Sequence, residues 1–162
     1  MRLKFLIIVL ATISIIGCKK DSSSSKNRIE VNVQSVTQTS LSGTTVQLLS
    51  DENKITYAPL AQAQSNGNGQ IYFDVTAGKN YYLFHPASDG KVLANEEATY
   101  IVTGKFASQL QIDSSPVQTP AAKIGDDIHQ DINGDGKIDK YDMVLKVIVS
   151  AGDTKKINFV LK

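Results

Sequence analysis

Ile29-Glu30-Val31-Asn32-Val33-Gln34 alternates apolar and polar residues without a break, placing Ile29, Val31 and Val33 on one face and Glu30, Asn32 and Gln34 on the other. Successive side chains of an extended strand point to opposite faces, so a period of two reads as a half-buried β-strand. The same period returns in Val46/Leu48, Ile71/Phe73/Val75, Tyr81/Leu83, Leu110/Ile112 and Ile157/Phe159/Leu161. Asn66-Gly67-Asn68-Gly69, Ala77-Gly78 and Ser88-Asp89-Gly90 separate these runs, with residue types that accept positive φ or bond their own backbone. Short strands punctuated by frequent turns predict an all-β fold, an antiparallel β-sandwich.

Upstream of the first strand the chemistry changes. Arg2 and Lys4 precede an apolar run from Phe5 to Ile16, followed by small Gly17 and then Cys18, the single cysteine of the chain. A charged region, a short apolar stretch and a small residue are the three parts of an export signal, and a run of 12 residues is too short to span a bilayer as a helix. A lone cysteine has no intramolecular disulfide partner, so Cys18 reads as a modification site. Ile15-Ile16-Gly17-Cys18 resembles the lipobox of bacterial lipoproteins. The resemblance implies removal of residues 1–17, linkage of diacylglycerol to the Cys18 thiol and anchoring to a membrane of the cell envelope, expected to be the outer one with its face left open. The alternative is an ordinary signal peptide with a chance cysteine. Acyl chains contribute about 0.8 kcal/mol per buried CH₂, so several of them anchor stably.

Lys19 to Asn27 is small, polar and aperiodic, which predicts a disordered tether over 18–27 and one folded domain over 28–162. Taking 17 residues from 162 leaves 145, enough for one domain with a real core. Removing Arg2 and Lys4 from 17 basic residues leaves 15 against 16 acidic ones, a net charge of −1. A balanced charge argues against nucleic acid as a partner.

Three stretches carry a further resemblance. Leu41-Ser42-Gly43-Thr44-Thr45-Val46-Gln47-Leu48, Ser65-Asn66-Gly67-Asn68-Gly69-Gln70-Ile71-Tyr72-Phe73 and Ala77-Gly78-Lys79-Asn80-Tyr81-Tyr82-Leu83 are similar to the carboxypeptidase regulatory-like family of transthyretin-like sandwiches. The run from Val147 to Leu161 is similar to that family's last hairpin. An Ig-like or transthyretin-like sandwich is implied, of an accessory rather than a peptidase kind, and the peptidase's zinc ligands are absent. Residues 88–120 match poorly. Pro116 and Pro120 point to a loop leading into an insertion at about 121–143.

That insertion holds Asp131-Ile132-Asn133-Gly134-Asp135-Gly136-Lys137-Ile138-Asp139-Lys140-Tyr141-Asp142. Counting Asp131 as position 1, Asp131, Asn133 and Asp135 project oxygens from positions 1, 3 and 5, and Gly136 allows the sharp turn at position 6. Lys137 offers its backbone carbonyl at position 7, Asp139 a carboxylate at position 9 and Asp142 closes the loop at position 12. Calcium takes about six to eight hard oxygen ligands, which this spacing wraps around one ion. With aspartate at the last position the loop resembles the dockerin type of EF-hand-like calcium loop, with Ile138 as an apolar strut onto the domain. Unliganded, its four carboxylates repel, and extracellular sites of this kind bind at about 10⁻⁴ to 10⁻³ M. The alternative is a solvated charged turn.

A dockerin pairs two such loops, whereas this chain carries one, so a cohesin partner and a calcium-sensing switch are not expected. Ala121 to His129 has the length of one short helix before the loop, while Val144, Val147, Ile148 and Val149 after it favour a strand. His85 and His129 sit in no paired zinc motif, and His129 reads as a solvated loop histidine. No Gly-x-Ser-x-Gly occurs. Tyr72, Tyr82, Phe84 and Tyr141 would stack sugars if exposed together, the competing reading being core or edge rings. These observations lead to a non-catalytic, lipid-anchored binding or structural module with one structural calcium ion. The alternative is a carbohydrate-binding accessory protein of a surface glycan-uptake system, and an enzyme would need a pocket with converging polar groups.

Overall fold

The computed structural model describes residues 27–51, 58–118 and 120–162. The expected signal peptide, Cys18 and all but the last residue of the expected tether lie outside them. Strand β1 (Asn27–Ser35) starts at that last residue.

The chain is an all-β sandwich of two sheets. One holds β11 (Thr154–Leu161), β1 and β4 (Gln70–Val75) in that order; the other holds β10 (Leu145–Val149), β5 (Lys79–Phe84), β2 (Thr45–Ser50) and β3 (Ala61–Gln64). The alternation explains the layering. Ile29, Val31 and Val33 of β1, Ile71 and Phe73 of β4 and Phe159 and Leu161 of β11 face Val46, Leu48, Tyr81, Leu83, Val147 and Val149 of the other sheet, all buried in one core. The polar partners line the outside, where Arg28 pairs with Asp74 at 2.9 Å and lies 5.6 Å from the centre of the exposed Tyr72 ring.

Connections between the sheets are short and pinned by side chains. Gly69 ends the turn between β3 and β4 at φ 75°, its carbonyl accepting from Val33 N at 2.7 Å. A Cβ there would stand 2.5 Å from the Val33 carbonyl oxygen. The Tyr81 hydroxyl, buried with its ring, donates to the Thr76 carbonyl at 2.9 Å and accepts from Thr76 N at 3.0 Å, which fixes the corner between β4 and β5.

The expected last hairpin does not form. β10 pairs antiparallel with β5, whereas β11 crosses to the other sheet and runs parallel to β1, from Arg28 opposite Thr154 to Ser35 opposite Leu161. The turn between them is tied instead to the start of β1, with Gly152 N donating to Asn27 Oδ1 at 2.7 Å and Arg28 N to the Asp153 carbonyl at 3.1 Å. Both strands carry one apolar face, a pattern equally met by neighbours in one sheet and by partners across a core.

Residues 85–144 lie between β5 and β10 and close the back of the second sheet. There Leu49, Tyr82 and Phe84 point away from the main core and are buried against Ile101, Ile132 and Val144. Two small ladders brace this segment: β6 (Val102–Lys105) with β8 (Asp127–His129), antiparallel, and β7 (Val117–Gln118) with β9 (Lys137–Ile138), parallel.

Two local expectations reverse here. Leu110 and Ile112, read as a strand face, sit in a short helix, α1 (Gln109–Asp113), with Leu110 78% exposed. Ser108 caps it by accepting from Gln111 N at 3.3 Å, and Gln109 Nε2 donates to Asp113 at 2.8 Å one turn on. These local bonds outweigh an alternation of only two apolar residues. Conversely, Ala121 to His129 is no helix: Gly125 adopts φ 95°, Asp126 Oδ2 accepts from Lys123 N at 2.8 Å in a tight turn, and β8 follows. Positive φ and a waiting ladder partner end any helical start.

Candidate metal centre and the adjoining cleft

Two anchors hold the twelve-residue loop. Ile132, at its second position, is part of the core behind the second sheet, and Ile138, at its eighth, is buried and paired through β9 with Gln118. Between them Gly134 (φ 74°) and Gly136 (φ 82°) take left-handed conformations; a Cβ would meet nothing within 4 Å at either. Backbone conformation, not space, therefore demands glycine at both positions.

The predicted ligand residues divide by burial. Asp131 and Asp142, at the ends of the loop, are 5% and 0% exposed, Asp139 is half-buried, and Asn133, Asp135 and Lys137 are exposed. Asp131 accepts from Gly134 N at 2.7 Å and Gly136 N at 2.8 Å. Asp142 accepts from Ile132 N at 2.9 Å, Asn133 N at 3.3 Å and Asp139 N at 2.9 Å, stitching the loop's end to its beginning. Asn133 and Asp135 each accept from the amide two residues on, Asp135 N and Lys137 N, at 2.9 Å. Asn133 Nδ2 also reaches Asp135 Oδ2 at 3.3 Å. Asp139 and Asp142 form a reciprocal cap on the 3₁₀ turn at Lys140–Asp142.

The oxygens thus turn first to loop amides. Among the described residues, no three His, Cys, Asp or Glu side chains converge closely enough to hold a metal by themselves. The donor set is nevertheless of the hard-cation kind: carboxylates, one side-chain amide and a backbone carbonyl. Each carboxylate has about four lone-pair sites, so an oxygen that accepts an amide hydrogen keeps capacity for an ion. The electrostatics lean the same way. Burial pushes the Asp142 carboxyl above its ordinary value, backbone amides of Asp139, Asn133 and Ile132 pull it back, and the charge of Asp131 adds to the upward push. A cation between the two ends would remove that repulsion.

Beside the loop, a cleft of about 320 Å³ is lined by Tyr100, Gln118, Pro120, Ala122, Asp126, Asp127, His129 and Ile138. His129 is not a solvated loop residue. It ends β8, is half-buried and stacks on Tyr100, with ring centres 4.7 Å apart and planes 21° from parallel. Burial, then the charges of Asp142 and Asp139, raise the Tyr100 hydroxyl above its ordinary pKa. Asp127 pairs with Lys105 at 2.7 Å, which holds its carboxyl below the ordinary range. Neither Tyr100 nor this cleft was legible in the sequence, because Tyr100 lies in the poorly matching stretch 88–120 and is brought near His129 by the β6–β8 pairing.

The other histidine is a structural tie. His85, 5% exposed, stands 2.8 Å from the Thr45 carbonyl through Nδ1 and 2.8 Å from Asp89 Oδ1 through Nε2, and Asp89 also pairs with Lys91. Burial would raise Asp89, but hydrogen bonds from Lys91 and His85 outweigh it and hold the carboxyl well below the carboxylate range. Of the four rings weighed as a sugar platform against core or edge positions, Tyr82 and Phe84 are buried behind the second sheet, Tyr141 is half-buried in the loop and Tyr72 is exposed on β4 of the first sheet. The four do not share an exposed face. No protein-family model matches the chain, and no curated protein matches it.

Proposed function

We propose that this chain is a non-catalytic module of the bacterial cell envelope, anchored by lipid on Cys18, whose sandwich is closed at the back by a calcium-holding loop. The anchoring half rests on the Gly17-Cys18 pair after the apolar run. The calcium half rests on one observation above all: two buried carboxylates, Asp131 and Asp142, stand at the two ends of a loop whose second residue is in the core. Bound there, the ion would be held by Asp131, Asn133, Asp135, the Lys137 carbonyl, Asp139 and Asp142, and would supply no chemistry beyond charge compensation and loop closure. A carbohydrate-accessory role draws no support from the four rings read as a platform; the cleft beside the loop is what favours it.

The test uses the full chain extracted in detergent. Thermal melts and calorimetry with and without millimolar calcium should find one site and a stabilisation of about 1.4 kcal/mol at ten times the dissociation constant. An Asp131→Ala/Asp135→Ala variant should lose both. Absence of heat and of stabilisation in the unmutated chain would reduce the loop to a charged turn. For the anchor, Cys18→Ala should move the protein out of the membrane fraction; its retention there would overturn lipid attachment.

A further inference from the structure

We infer that the cleft walled by Tyr100, Gln118, His129 and Ile138 is the ligand site of this module and that its ligand is a neutral saccharide. The inference deepens the binding-module reading and rests on it, but not on the calcium ion. Tyr100, Gln118 and His129 converge on one cavity, and among the described residues no hydrogen bond to their side-chain polar atoms is formed. Half-buried polar groups with unspent hydrogen-bonding capacity around a concave space are what a ligand site requires.

The chemistry of the walls selects the ligand. Tyr100, Gln118 and His129 bring donors, and Gln118 and Asp126 bring acceptors. A hydroxyl both donates and accepts, so a polyol matches this mixture better than a purely cationic or anionic group. Asp127 is already neutralised by Lys105 at 2.7 Å, Asp126 accepts from Lys123 N at 2.8 Å, and no basic side chain except His129 lines the cleft. An anionic ligand is therefore poorly matched. The Tyr100–His129 pair and Ala122 supply apolar surface for the C–H face of a sugar ring. A volume of about 320 Å³ lies at the lower end of ligand cavities, about 300–1,000 Å³, and suits one or two rings.

The position of the loop gives the site its second wall. Gln118 sits opposite Ile138 in the parallel β7–β9 pairing, and Val117 N donates to the Gly136 carbonyl at 3.1 Å. The loop that closes the second core thereby sets where Gln118 stands in the cleft.

The test titrates the detergent-extracted full chain, in millimolar calcium, with the methyl pyranosides of glucose, galactose, mannose, xylose and N-acetylglucosamine, followed by ligand-observed NMR. At least one should saturate, with a dissociation constant of about 1 mM. Tyr100→Ala and Gln118→Ala should each weaken it about tenfold or more, with Tyr72→Ala on the far sheet unchanged. Saturation by none of the sugars, equal binding by both cleft variants, or saturation by an acetyl-lysine amide in place of sugars would each overturn the inference. Calcium melts on the same preparation separate the two readings. Normal calcium stabilisation without sugar binding removes the saccharide site and leaves the calcium loop; sugar binding without calcium stabilisation removes the calcium loop and leaves the saccharide site.

Discussion

The sandwich and the segment behind it are built on different principles. In the sandwich, strands of four to nine residues alternate, and one face of each meets the core. Residues 85–144 contain ladders only two to four residues long, a single helix of five, and a 3₁₀ turn of three among the described residues. What holds this segment is side chains accepting from backbone amides, as at Asp131, Asp142, Asp126 and Ser108. Periodic burial makes a scaffold that tolerates much local change, while turn chemistry places individual polar atoms. Both candidate sites, the loop and the cleft, fall in the second kind of structure.

Substitutions can break this contrast from either side. The largest effect is expected from Phe159→Ala in the main core, where the ring is fully buried: a loss of about 3–5 kcal/mol in denaturant unfolding, with amide exchange accelerated throughout. Ile132→Ala should cost about 2–4 kcal/mol and loosen amides of residues 85–144 before those of β1 and β11, since Ile132 packs only behind the second sheet. Uniform exchange in that variant would make the molecule one cooperative unit and erase the distinction. Gly69→Ala should cost about 2 kcal/mol, because φ is positive and the added Cβ meets the Val33 carbonyl at 2.5 Å; a thermal melt reads this directly.

The smallest effect is one of pH. Asp89 has its carboxyl depressed in the folded protein, so its contribution is present above the unfolded value of 3.8 and is lost as pH falls through the lower folded one. Thermal melts from about pH 5 down to pH 2 should therefore show a shallower decline for Asp89→Asn than for the unmutated chain. Identical slopes would mean that the His85–Asp89–Lys91 tie adds nothing to stability.

Reading from sequence worked where the signal was periodic or stereochemical. Ile29, Val31 and Val33 announced their face, and Gly136 fell where the loop needs left-handed backbone. It failed at Leu110 and Ile112, where two alternating residues carried less information than the capping bonds of Ser108 and Gln109. At Tyr82 and Phe84 it left exposure open, because a strand buried on both faces depends on what distant chain arrives behind it.

The sequence by itself determined the alternating strands around Ile29–Val33, Val46/Leu48, Ile71–Val75, Tyr81/Leu83 and Ile157–Leu161, their inward faces and the oxygen-bearing spacing of residues 131–142, since each depends on neighbours a few positions apart. Only the tertiary structure decided that β11 lies parallel to β1 rather than beside β10, that Ile132 locks the loop into a second core, and that Tyr100 meets His129 over a cleft. Pairing between remote segments is chosen by the total burial and hydrogen bonding of the whole fold, and alternation is the same for every partner a strand might take.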